Sequence, residues 1–272
     1  MPSANSLNLT MRMIYLEGKR TVCVLHFQLF YFVQKMNHMA FGLILICCLT
    51  RAIETNGYHV FAKRTMFEEF LEKFKIILKT GNESLGIPVL DPFTAKQMPI
   101  KLYEQIINLN ALLTNVNVDG LSEYKVIEGD FQVIGMKLNI NLSWPLITAS
   151  TDYTMKGNAD SYEFYGNGEI DLSARDFVLE TEIGFTVNGE HFKVRNMKLK
   201  LSLRALDFRV TGLFDDEELS NVLSAVISDT APEFFKDATI MERLRHLTTE
   251  KIDAFLSTKM IGELLEFLGV LD

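Results

Sequence analysis

Cysteine is nearly missing from this 272-residue chain: its three copies, Cys23, Cys47 and Cys48, all fall within the first 52 residues. Beyond Cys48 no thiol can form a disulfide, ligate a metal or act as a nucleophile. The fold must there rest on its own core, which about 220 residues can supply. Histidine is also thin: after residue 52 only His59, His191 and His246 remain, none paired at metal-ligand spacing, so no metal site is expected. No Gly-x-Ser-x-Gly nucleophile elbow appears. Gly166-Asn167-Gly168 lacks the third glycine of a dinucleotide loop and runs into the alternating Glu169-Ile170-Asp171-Leu172, so it reads as a turn. With no motif for catalysis, neither an enzyme nor a cofactor is expected.

Positive charge is scarce where it would matter. The formal net charge is −8, yet residues 1–52 carry five basic side chains and one acid, Glu17. From totals of 27 and 35, that leaves 22 basic against 34 acidic residues in the remainder. Such a body has no electrostatic footprint for nucleic acid and little attraction to anionic membranes. Nor is there an apolar run of the about 20 residues that span a bilayer. Residues 40–49 form an unbroken apolar run, separated from a second and longer one, 22–34, by Gln34, Lys35, Asn37 and His38. The shorter run suits a signal-peptide core, with Thr50-Arg51-Ala52 as the cleavage region and Met36 or Met39 as the start. The two runs together would alternatively make a membrane anchor. The reading adopted is an upstream extension (1–35), a signal peptide (36–52) and one secreted, extracellular domain (53–272), without stable membrane insertion. The oligomeric state is not legible.

Thr65-Met66-Phe67-Glu68 is a capping box, and Met66, Phe67, Phe70, Leu71, Phe74, Ile77 and Leu78 follow helical spacing. Gly81 closes that helix, and Pro88 and Pro92 prevent its resumption. From Met98 to Leu213 the period becomes two, clearest in Met136, Leu138, Ile140, Leu142 and Trp144. Its parity slips near Gly135, between Ala174 and Phe177, and between Leu203 and Leu206; bulges that bend the strands would explain this. Asn188-Gly189 marks a hairpin, and Gly157-Asn158 and Gly166-Asn167-Gly168 mark further turns. Helix returns after Asp215, with a stripe of Leu219, Val222, Leu223, Val226 and Ile227. Another helix is expected from Thr230-Ala231-Pro232-Glu233. The class is α+β, a large bent antiparallel sheet against helices. Its inward apolar residues fit a filled core and a ligand pocket equally.

Gly86-Ile87-Pro88-Val89-Leu90-Asp91-Pro92 resembles the hallmark that follows the first helix in the insect juvenile hormone binding protein and takeout family. Gly120-Leu121-Ser122-Glu123-Tyr124, Trp144-Pro145, Tyr153, Gly157 and Gly166-Asn167-Gly168 agree in order, over roughly residues 60–260. The resemblance implies a long helix wrapped in a highly curved antiparallel sheet of tubular lipid-binding type, with additional C-terminal helices. It implies a non-enzymatic carrier of a small lipophilic ligand, a terpenoid hormone or fatty acid, in an internal apolar tunnel. Lipid transfer, membrane-lipid sensing and a ligandless interaction protein are the alternatives. The family's disulfide near the mature N-terminus has no counterpart here. On this reading the ligand walls are Phe70, Phe74, Leu138, Ile140, Leu142, Trp144, Tyr153, Phe164, Phe177, Phe185, Phe208 and Phe235. Asn82 and Asn141 head the sequons Asn82-Glu83-Ser84 and Asn141-Leu142-Ser143, where surface glycans are expected.

Overall fold

The computed structural model describes residues 65–83, 87–104, 107–132, 135–159 and 162–262. The upstream extension, the signal peptide, the three cysteines, and Ser84 and Gly86 lie outside the described residues.

The Thr65 hydroxyl accepts the Glu68 amide while the Glu68 carboxylate accepts the Thr65 amide, and helix α1 runs Met66–Thr80. Phe67, Leu71, Phe74 and Leu78 are buried along it, each worth about 1.5–3 kcal/mol of apolar burial. After Gly81 the chain folds back, and the amides of Leu90 and Asp91 both donate to the Leu78 carbonyl. The Asp91 carboxylate then accepts from the backbone amides of Gly120 (2.8 Å) and Ser122 (2.7 Å) and from the Ser122 hydroxyl. One aspartate thus staples the exit of α1 to a turn 30 residues downstream.

Seven strands follow: β1 (Phe93–Glu104), β2 (Ile107–Asp119), β3 (Lys125–Gln132), β4 (Lys137–Ala159), β5 (Tyr162–Asn188), β6 (His191–Ser202) and β7 (Ala205–Val210). They form one unclosed sheet in the order β1-β2-β4-β5-β6, with β3 on β4 and β7 on β5. All pairs are antiparallel. β4 and β5, of 23 and 27 residues, far exceed the usual strand and act as a spine. The flank of β4 passes from β3 to β2 between Ser143 and Thr148, and that of β5 from β7 to β6 between Arg175 and Val178. At this waist Trp144 pairs with Phe177.

Two of the parity slips are one event at the waist, and neither is a bulge. The β4–β5 register is constant from Lys137↔Gly184 to Ala159↔Tyr162, and β5 holds one register from Val178↔Ser202 on β6 to Arg175↔Ala205 on β7. Core-facing positions nevertheless step by three, from Trp144 to Ile147, Ala174 to Phe177 and Leu203 to Leu206. The ribbon rolls over along one transverse line, with Asp176 at φ 49° inside it. The slip near Gly135 is different again: Gly135 (φ 97°) and Met136 (φ 49°) form the turn that joins β3 to β4.

The expected β5–β6 hairpin forms with Gly189-Glu190 as its turn and Asn188 as the last residue of β5, whereas Gly157-Asn158 and Gly166-Asn167-Gly168 lie inside β4 and β5. The reason at Gly166 is space, since an added methyl would sit 2.6 Å from the Tyr153 hydroxyl.

Helix α2 runs Glu217–Phe234, capped by Asp216, and α3 runs Ala238–Leu256, capped by Asp237. The expected start at Thr230 is overturned. Pro232 sits within the last turn of α2, which ends two residues later at Phe234. Asp237, which accepts from the amides of Thr239 and Ile240, is the actual cap. α2 packs on β7, and α3 on β6.

The core divides at the waist. One cluster joins α1 and α3 to β3, β6 and the adjoining halves of β4 and β5. The other joins α2 to β1, β2, β7 and the remaining halves. Phe93 and Ile147 touch both.

Candidate functional site

Between α2 and the sheet lies a cavity of about 100 Å³. Alternation in β2 turns Leu109, Ala111 and Leu113 toward it, and β4 contributes Ala149, Tyr153 and Met155. Ile100 of β1, Ile170 and Leu172 of β5, and Phe208 of β7 complete the sheet side. Val116 joins them where the β2–β4 register shifts between Thr114 and Asn117. Ile227 closes the space from α2.

Two hydroxyl groups on this wall are already engaged. Thr151 Oγ1 donates to the Thr114 carbonyl at 2.9 Å, and the Tyr153 hydroxyl donates to the Thr211 carbonyl at 2.7 Å. Burial, reinforced by the negative charge of Glu217, pushes the Tyr153 phenol up to about 12, so it stays a neutral donor at any physiological pH. What the wall offers an occupant is apolar surface with a few oriented hydroxyls, a surface suited to binding. Among the described residues, no three His, Cys, Asp or Glu side chains stand together as a metal site.

The predicted wall residues separate into two groups. Tyr153 and Phe208 line the cavity, and Phe164 is buried in the same cluster. Phe74, Leu138, Ile140, Leu142, Trp144 and Phe185 are buried in the other cluster, with Phe70 and Phe177 packed against it. At the waist an aromatic row runs Tyr124–Trp144–Phe177–Phe235, with ring centroids 5.4, 5.7 and 5.9 Å apart. Trp144 is fixed there by its Nε1–H donating to the Leu121 carbonyl at 2.9 Å. Sequence reasoning favoured aromatic residues and passed over Ile100, Leu109, Ala111, Leu113, Met155, Ile170, Leu172 and Ile227. The alternation of Leu109, Ala111 and Leu113 carried the signal for three of them.

The sequon asparagines differ in setting. Asn82 exchanges backbone hydrogen bonds with Ile87. Asn141 lies in the middle strand of three, between Glu128 and Glu180, with its Oδ1 buried and without a hydrogen-bond partner.

The outer face near Asn141 is charged. Glu182 lies 2.8 Å from Lys137 and 3.2 Å from Lys198, and these hydrogen bonds hold its carboxyl below the usual range. Among the described residues no helix is long and apolar enough to cross a membrane.

A family model described as haemolymph juvenile hormone binding protein matches residues 51–262. Among solved structures, Takeout 1 of Epiphyas postvittana aligns at 16% identity with a TM-score of 0.47, covering 73% of this chain and 92% of that one. A lipopolysaccharide binding protein aligns at 11% identity with a TM-score of 0.33, covering 69% of this chain and 39% of that one. No curated protein matches the chain.

Proposed function

The chain belongs to the haemolymph juvenile hormone binding protein family, and on that premise we propose that it is a secreted carrier of a small lipophile such as a terpenoid hormone or fatty acid. The carrying observation is the apolar cavity between α2 and the sheet. Removing an apolar ligand from water supplies the driving force, and Tyr153 is the group best placed to orient a polar end. At about 100 Å³ the cavity is smaller than the roughly 300–1,000 Å³ of typical ligand sites. A hormone-sized guest therefore requires the walls to part. Residues 36–52 act as the secretion signal, and Asn82 or Asn141 carries a glycan. The chemistry is binding alone, with no reaction at the site.

The test is native mass spectrometry of protein secreted from insect cells, with organic extraction and an enzymatic deglycosylation arm. A co-purifying lipophile, or uptake of a fluorescent fatty acid or terpenoid, is expected. Protein that stays empty and takes up neither probe refutes the carrier reading.

A further inference from the structure

Strands build the whole cavity wall except at Ile227 of α2. We infer that α2 is a hinged lid over this cavity, latched by a row of serine hydroxyls, and that it lifts to let a lipophile pass. The inference rests on the carrier reading for its cargo, but its mechanics stand on α2 alone.

The face that α2 buries is poor in carbon. Ser220, Leu223, Ser224, Ile227 and Ala231 are its buried residues, so two buried large apolar side chains, with half-buried Leu219 packed beside them, anchor 18 residues of helix. Ser220, Ser224 and Ser228 recur one turn apart. Their oxygens accept the backbone amides of Leu213, Val210 and Phe208 at 3.0, 3.0 and 2.9 Å. From Ser228 to Ser224 the helix advances about 6.0 Å in four residues, and from Phe208 to Val210 the strand advances about 6.6 Å in two, so these two latches stay in step; the third, Ser220, meets Leu213 three residues on, past the end of β7. Ser224 and Ser228 thereby cap the free edge of β7, whose other edge pairs with β5, and Ser220 caps the segment just beyond it.

Such a latch releases without stranding a polar group. Each serine also donates to the carbonyl four residues back, on Asp216, Ser220 and Ser224, at 2.7, 2.7 and 2.9 Å. When α2 lifts, the hydroxyls keep those bonds and water takes the strand amides.

A turn at each end of α2 supplies the hinge. Gly212, Phe214 and Asp215 have φ of 67°, 55° and 55°, in a segment anchored to β5 by the Gly212 carbonyl and the Phe214 amide, and at the far end α2 stops at Phe234 before Asp237 caps α3. Tyr153, on the cavity wall, holds the carbonyl of Thr211 beside the first of these hinges. An occupant that engages the Tyr153 hydroxyl therefore acts directly on the hinge.

β7 carries its own control. The amides of Phe208 and Val210 face the serines, so by antiparallel alternation those of Asp207 and Arg209 face β5. Residue-resolved hydrogen exchange on the ligand-free, full-length folded protein should find Phe208 and Val210 exchanging at least about 100-fold faster than Asp207 and Arg209. Equal rates within the strand overturn the lid. Saturation with a fluorescent fatty acid should then slow Phe208 and Val210 at least about tenfold while Asp207 and Arg209 hold. A loaded protein with unchanged rates also overturns it. A wild type that loads nothing overturns the carrier reading instead, and the ligand-free comparison still decides whether α2 lifts. The double variant Ser224→Ala, Ser228→Ala, once shown to be folded by circular dichroism, should raise uptake and release rates each about tenfold with Kd held within about threefold. Unchanged rates in the folded variant count against the latch.

Discussion

The Tyr153 hydroxyl lies 2.7 Å from the carbonyl oxygen of Thr211, so one side chain belongs both to the cavity wall and to the segment that leads into α2. Gly166 leaves the room for it. Tyr153→Phe keeps the ring and removes the bond, and should cost about 1 kcal/mol in urea denaturation.

The same phenol sets a pH dependence. Well below pH 10 it is neutral in the folded and unfolded chain alike. As pH rises from 10 towards 12 the unfolded chain releases this proton first, because burial holds the folded group at about 12. Stability should therefore fall over that window, by at most about 1.4 kcal/mol per pH unit. Denaturation midpoints at pH 9, 10 and 11 check this, and Tyr153→Phe should lose this part of the slope.

Asp91 holds two backbone amides and a hydroxyl from the turn at Gly120–Ser122. Asp91→Ala leaves those donors without their acceptor and should cost about 2–4 kcal/mol, with Asp91→Asn intermediate. Gly120→Ala tests the other half of the clasp. Gly120 has φ 91°, and a methyl there would lie 2.6 Å from the Leu146 carbonyl oxygen. A loss of at least about 1–3 kcal/mol is expected. A midpoint for Gly120→Ala equal to wild type would show that the turn can relax.

Filling the cavity separates binding from folding. Ala111→Leu adds three carbons to the wall of a space of about 100 Å³. Probe affinity should drop at least about tenfold, while the melting temperature holds or rises. Equal affinity in the variant would place the guest elsewhere.

Trp144 is the only tryptophan in the chain, buried at the waist between Tyr124 and Phe177 and absent from the cavity wall. Its emission should lie well to the blue of a solvated indole and shift red on unfolding. A guest confined to the α2 side should leave it unchanged; a large change on loading would mean that the guest reaches the waist.

Much of the fold was legible because its signals are local. Thr65 and Glu68 announce α1, and residues such as Leu138, Ile140 and Leu142 announce a strand without reference to distant parts. What escaped depends on partners far away in the chain. Ser220, Ser224 and Ser228 look like a polar face until β7 brings backbone amides to them, while Val222, assigned to the buried stripe, is 46% exposed. Gly166 reads as a turn until Tyr153 is placed over it. Ala111 and Ala149 are too small to stand out as wall residues, although a small side chain is what leaves space. Pro232 reads as a start because proline suits first turns, but here it falls two residues before α2 ends, and Asp237 caps the next helix.

The roll at the waist gives the chain an inverted key. Before Pro145 the even positions of β4 face the core, and after it the odd ones do, so identical chemistry two turns of pleat apart has opposite meaning. It also separates two linings that share little beyond Phe93 and Ile147. Substitutions in one should add to those in the other with little coupling. Side chains on the α2 side can change while the compartment around α1 goes on keeping the molecule folded.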